Sequence, residues 1–243
     1  MTKLSVNVNK VATLRNTRHS GIPSVAKAAK ICLDAGAHGI TVHPRPDERH
    51  IRPSDVYELA ELLKGYPAAE FNLEGNPFEG HYMDLVREVR PTQCTLVPDD
   101  PTAFTSNEGW DVVRHHNRLK PVILSLKNLG CRVSLFLNAD VSQIPIAAEI
   151  GADRIELYTE LYATAFELGQ QDVAVQAFAE TALLAKRHGL GVNAGHDLSC
   201  ENLPFFLTHV SNVLEVSIGH ALIADALEIG YAETIKAFLR AIQ

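Results

Sequence analysis

The sequence predicts a (β/α)8 barrel, an α/β fold spanning residues 1–243 as a single domain. Three observations predict it. A joint recurs in which an amphipathic helix ends at glycine and a short apolar strand begins a few residues later. Eight runs of strand length can be counted, each followed by a plausible helix. Polar and ionisable residues collect just after those runs, where a barrel places its chemistry.

The joints are Ala35-Gly36-Ala37-His38 before Gly39-Ile40-Thr41-Val42, and Leu129-Gly130-Cys131 before Arg132-Val133-Ser134-Leu135-Phe136. Two more are Ile150-Gly151-Ala152 before Arg154-Ile155-Glu156-Leu157, and His188-Gly189-Leu190 before Gly191-Val192-Asn193-Ala194. Each glycine suits the left-handed position that closes a helix.

Taken in order, the strands fall near 4–8, 39–43, 70–73, 93–97, 132–137, 154–157, 191–194 and 215–218. Val25, Ala28, Ala29 and Cys32 repeat at helical spacing before the first joint, as do Ile235, Phe238, Leu239 and Ile242 near the C-terminus, so each marks a helix with one buried stripe. Asp172 is placed to cap a helix running through His188, and Ser142 to start a shorter one before Gly151. Strict alternation needs crossover connections and hence a parallel sheet; eight units close a barrel. A doubly wound open sheet is the competing fold, weakened because no Gly-x-Gly-x-x-Gly follows the first strand.

Composition narrows the function. The 243 residues are 46% hydrophobic with no apolar run long enough to span a membrane, and the N-terminus lacks the apolar stretch of a signal peptide. A soluble, cytoplasmic protein is expected. A net charge of −7 argues against nucleic acid as partner. The four cysteines, Cys32, Cys94, Cys131 and Cys200, are scattered and read as reduced.

The strand ends supply the candidate site. Asn7 and Asn9 end strand one, His43 strand two, Glu74 strand three, Glu156 strand six, His196 strand seven and Gly219-His220 strand eight. His43 precedes Pro44, and imidazole titrates near neutrality, so it suits acid or base chemistry; a histidine satisfied by loop backbone is the alternative, set against the nearby Arg45, Arg49 and His50. Glu74 follows a buried-looking strand, which would push its carboxyl upward; the alternative, for Glu74 and Glu156 alike, is an ion-pair partner. The loops holding Gly195-His196 and Gly219-His220 stand where barrels bind phosphate, on glycine-exposed N–H groups and a helix N-terminus, or else are simple turns. Eleven histidines invite a metal, yet no His-x-x-x-His or Cys/His zinc spacing occurs, so none is expected.

Seven ordered blocks carry a resemblance: Val6-Asn7-Val8-Asn9 through Arg18, Gly39 through Ile51, Asn72-Leu73-Glu74, Leu96-Val97-Pro98, Val133-Ser134-Leu135-Phe136, Val192 through His196, and Ile218-Gly219-His220-Ala221. On these the chain resembles the pyridoxine 5'-phosphate synthase family of vitamin B6 biosynthesis. The resemblance implies a TIM barrel with additional helices, an octamer of dimers, and no metal or organic cofactor. It implies small phosphorylated substrates, 1-deoxy-D-xylulose 5-phosphate and 3-amino-2-oxopropyl phosphate, condensed to pyridoxine 5'-phosphate, phosphate and water. By the same resemblance His43 and Glu74 are proton acceptors, His196 is the proton donor, and Glu156 stabilises a transition state. Asn7, Arg18, Arg45, His50, Thr105, Gly219 and His220 match substrate-binding positions, and the stretch containing Thr105 is a candidate closing loop.

This chain departs from the pattern at three places. Asn9-Lys10 stands where the family usually has Asp-His, in contact with the aminoketone phosphate. Asp197 replaces a glycine beside the phosphate turn, and Tyr158-Thr159-Glu160 replaces His-Thr-Gly. Two other readings stay open at this point: a phosphosugar aldolase or isomerase using Lys10 as its Schiff-base lysine, and a non-catalytic protein that binds a B6 phosphate.

Overall fold

A computed structural model of the chain describes residues 1–99 and 108–243. Eight strands run β1 (Lys3–Asn7), β2 (Gly39–Val42), β3 (Glu70–Gly75), β4 (Gln93–Leu96), β5 (Arg132–Leu137), β6 (Arg154–Leu157), β7 (Gly191–Ala194) and β8 (Val213–Ile218). They form a closed barrel in sequence order, each parallel to the next, and β8 returns to pair with β1. The eight expected strands are these eight.

Around them lie α1 (Asn9–Asn16), α2 (Val25–Asp34), α3 (Pro53–Leu63), α4 (Tyr82–Val89), α5 (Val112–Asn128), α6 (Ile144–Glu149), α7 (Glu160–Glu167), α8 (Gln171–Arg187), α9 (Leu203–His209), α10 (His220–Ile229) and α11 (Tyr231–Ala241). Among the described residues, no helix is long and apolar enough to cross a membrane. All four joint glycines have positive φ, between +77° at Gly189 and +106° at Gly36, the backbone that glycine adopts without a side-chain penalty. Two cap assignments need correction. The helix assigned to Asp172 starts at Gln171 after Gln170, so Asp172 lies in its first turn, where its charge still suits the helix dipole. The turn attributed to Ser142 is capped by Asp140, whose carboxylate accepts from the Ser142 N–H at 2.9 Å.

The period of two along each strand divides the barrel into an apolar outside and a polar inside. Leu4, Val6, Ile40, Val42, Leu73, Leu96, Val133, Leu135, Ile155, Val192, Val216 and Ile218 are buried in the core they share with residues such as Ala29, Leu59, Ile123 and Phe238 on the helices. Many of the alternate positions are hydrogen-bonded to one another. Ser5 and Thr41 hydroxyls meet at 2.7 Å, the Thr95 hydroxyl donates to Asn72 Oδ1 at 3.0 Å, and Asn193 Nδ2 donates to Gln93 Oε1 at 3.3 Å. At the N-terminal end Arg132 pairs with Glu70 and, at 3.7 Å, with Glu215, while Arg154 reaches Glu215 at 3.5 Å. Burying these polar groups is tolerable because they partner each other.

Candidate active site

A cavity of about 550 Å³ opens at the C-terminal ends of the strands. Asn7, Asn9, Lys10, His43, Arg45, His50, Glu74, Glu156, His196, Asp197, Gly219 and His220 all line it. Strand alternation and loop direction thus bring twelve sequence-selected positions to one mouth. Arg18 is not among them: it follows α1 and its cap Thr17 on an exposed stretch of chain. Thr105 lies outside the described residues.

The first loop holds its neighbours in place. Asn7 Oδ1 accepts from the Asn9 N–H at 3.0 Å, and Asn7 Nδ2 donates to Glu74 Oε2 at 3.3 Å. Asn9 Oδ1 accepts the His43 N–H at 2.9 Å. The two asparagines therefore link the ends of β1, β2 and β3. Gly219 comes close to the same spot, since a Cβ there would sit 3.2 Å from Asn7 Cβ. It precedes α10, whose first turn opens beside the cavity with His220.

One wall holds Arg45 and two imidazoles. Arg45 is buried in an ion pair with Asp99, and His43 Nε2 is 3.9 Å from the same carboxylate. His50 Nδ1 accepts its neighbour's Ile51 N–H at 2.9 Å. Its carbonyl is held by Arg15 at 3.1 Å and Asn16 at 2.9 Å, and Arg15 is itself paired with the buried Asp55. Burial, then the charges of Arg45, His50, Arg49 and His196, keep the His43 imidazole well below its ordinary value. Burial and Arg45 bring His50 down to about 4.

The opposite groups move the other way. Burial, with Asp99 and Glu215 adding to it against His196 and Arg45, raises Glu74 to about 7. Burial and the Glu74 charge push Glu156 well above the ordinary carboxyl range, and Thr95 Oγ1 lies 3.4 Å from its Oε2. For His196, burial acts downward but is outweighed by the hydrogen bond and charge of Asp197 and by Glu74 and Asp99, so its imidazole is raised. An imidazole pushed down, a carboxyl titrating near neutrality and an imidazole pushed up thus face one space, the separation expected of acid and base partners.

Sequence reasoning missed several lining groups. Among the described residues Ser217 Oγ is buried at the cavity without a hydrogen-bond partner, and Phe136, Glu160, Glu167 and Asn202 also line it. Asp99 follows the quoted Leu96-Val97-Pro98 block by one residue and was legible as a strand-end carboxylate. Ser217 and Phe136 sit within strands, Glu167 lies on α7 and Asn202 caps α9, where no local pattern marks them, and Glu160 stood out only as a departure after strand six.

A closed parallel barrel with ionisable groups gathered at its C-terminal mouth is the architecture of a (β/α)8-barrel enzyme. The family model of the pyridoxal phosphate biosynthesis protein PdxJ matches residues 4–243. The chain belongs to this family of biosynthetic enzymes. The pyridoxine 5'-phosphate synthase of Albidiferax ferrireducens is 55% identical over 99% of this chain and 97% of its own length. That of Xanthomonas campestris pv. campestris is 53% identical over 99% and 96%. Phosphoribosyl anthranilate isomerase from Thermotoga maritima superposes with a TM-score of 0.59 at 13% identity, covering 100% of this chain and 98% of that one, a likeness of fold alone.

Proposed function

We propose that the protein is a pyridoxine 5'-phosphate synthase, joining 1-deoxy-D-xylulose 5-phosphate to 3-amino-2-oxopropyl phosphate and releasing pyridoxine 5'-phosphate, phosphate and water. The observation that carries this reading is the gathering of His43, Glu74 and His196 around one cavity, with His43 pushed down and Glu74 and His196 pushed up. Imine formation, loss of water and phosphate, and ring closure each move protons, so the site must hold both acceptors and a donor. Neutral His43 and ionised Glu74 accept protons; protonated His196 returns one to a departing oxygen. Glu156, kept neutral by burial, offers a hydrogen bond to oxygen that gains charge.

Arg45, His50 and Lys10 hold one phosphate through N–H donors, and Gly219 and His220 at the start of α10 offer N–H groups to the other. Asn7 and Asn9 contact substrate while bracing Glu74 and His43. Arg18 and Thr105 belong to the binding set by family resemblance, and Asp197 stands beside it at the phosphate turn. A cytoplasmic location and a homo-octamer are part of the same reading, and exposed Leu161 on α7, Leu168 just after it and Val173 on α8 supply apolar surface for self-association.

Incubating the protein with both substrates tests the proposal: pyridine absorbance must rise as inorganic phosphate is released. Absence of both signals would refute it. Lys10 in the cavity wall favours one competing reading, a Schiff-base aldolase, and borohydride trapping of a sugar phosphate on Lys10 would reveal it.

A further inference from the structure

We propose that Asp197 is a positioning residue that keeps His196 in its protonated, donor-ready form, rather than a group that binds substrate directly. This rests on the reading of His196 as proton donor. The contact is short: His196 Nδ1 lies 2.8 Å from Asp197 Oδ2. A carboxylate only accepts, so Nδ1 carries the proton and donates it.

The backbone beneath Asp197 is fixed on several sides. Its N–H donates to Thr159 Oγ1 at 3.3 Å, its carbonyl accepts from Asn202 Nδ2 at 3.3 Å, and the turn is closed by the Leu198 N–H donating to the Gly195 carbonyl at 2.6 Å. The imidazole is confined as well, with the Tyr158 ring edge-on at 5.7 Å between centroids and Phe136 at 6.4 Å. A carboxylate held this firmly against one imidazole edge orients the ring and stabilises its cationic form.

The pair also resolves the presence of an anion beside a phosphate-binding turn. An isolated carboxylate there would repel phosphate, whereas a carboxylate paired with imidazolium contributes no net charge. The other titratable or charged groups lining this space are Lys10 on α1, His43 and Arg45 after β2, His50, Glu74 on β3, Glu156 on β6, Glu160 and Glu167 on α7, and His220 on α10, with Asp99 and Tyr158 close by. Glu74 and Asp99 also favour the cation from a distance, and Asp197 adds a hydrogen bond to its charge.

The experiment compares the full-length parent with Asp197→Asn, which keeps the shape and an acceptor oxygen but loses the charge, and Asp197→Gly, which loses both. Nitrogen NMR of the labelled His196 imidazole follows its titration, and kcat and KM for both substrates are measured from about pH 6 to about pH 9. In Asp197→Asn the His196 midpoint moves to lower pH and the alkaline limb of kcat moves with it. At about pH 8 the loss is about tenfold, a fraction of the roughly 10² to 10⁴ that a placed acid contributes, and near pH 6 the rate approaches the parent's. Asp197→Gly loses more, because ring orientation is released too. A His196 titration unmoved in both variants overturns the proposal, as does a raised KM with an unchanged kcat profile, which would make Asp197 a substrate contact. The titration decides the pairing even if the parent does not turn the substrates over, so failure of the proposed reaction and failure of the pairing are read separately.

Discussion

Glu74→Gln separates what this carboxyl contributes to chemistry from what it costs the fold. Burial lifts Glu74 from an ordinary 4.5 to about 7, so folding favours its neutral form. The folded protein therefore binds more protons than the unfolded chain, and stability falls as pH rises. The penalty is absent below about 4.5, grows across the interval up to 7, and is complete above it. A shift of this size corresponds to roughly 3 kcal/mol at most, and discounting for the open cavity beside the group leaves about 2 kcal/mol. Glutamine has nearly the same shape and no charge, so the variant escapes that penalty. Urea denaturation should find Glu74→Gln about 2 kcal/mol more stable than the parent near pH 8 and equal to it near pH 4, while turnover falls by about 10² or more because an acceptor is gone. Equal stability at both pH values would refute the assignment of a raised carboxyl, whatever happened to turnover.

Gly195→Ala would place a Cβ 2.7 Å from the Ser217 carbonyl carbon and 2.8 Å from its nitrogen. Backbone cannot step aside cheaply, so a loss of about 2 to 3 kcal/mol is expected by thermal or urea unfolding, against about 1 kcal/mol for Gly189→Ala, where nothing lies within 4 Å and only the positive φ is strained. Arg132→Met leaves Glu70 and the buried Glu215 short of a cation at the far end of the barrel. Calorimetry should record a drop of roughly 10 °C, from about 3 kcal/mol, with turnover at room temperature unchanged. Lys10→His should weaken the aminoketone phosphate about tenfold in KM near pH 8, the worth of one charged contact, and leave the sugar phosphate alone; an unchanged aminoketone KM would discount Lys10 as its ligand.

The fold was legible because glycine and period-two alternation are local signals. Gly36, Gly130, Gly151 and Gly189 mark helix ends through a backbone angle that other residues resist, and each adjoining strand could be read from its own residues. The caps at Asp172 and Ser142 were misplaced because Asp, Ser and a nearby Asp140 are interchangeable by type; only geometry decides which oxygen meets an open N–H. Positions at strand ends were legible through the barrel rule. What pairs with what was not: Asn7 bridging to Glu74, Asp99 between Arg45 and His43, and Arg132 reaching Glu215 join residues 67, 54 and 83 positions apart in sequence, and no local pattern encodes such a partnership. Asp197 could be seen as a departure from the family, but its contact with His196 could not.

The polar inside of the barrel bears on how mutations accumulate. Thr95 touches both Asn72 and Glu156, and Gln93 serves Arg132, Asn193 and Glu215 at once. An isolated exchange at either site strands several partners together, whereas the leucines and valines on the outer face can trade volume with a neighbour one at a time. The inner positions should therefore drift as linked sets and the outer ones singly, so that the lineage of this barrel is recorded more faithfully in its hydroxyls and amides than in its oily shell.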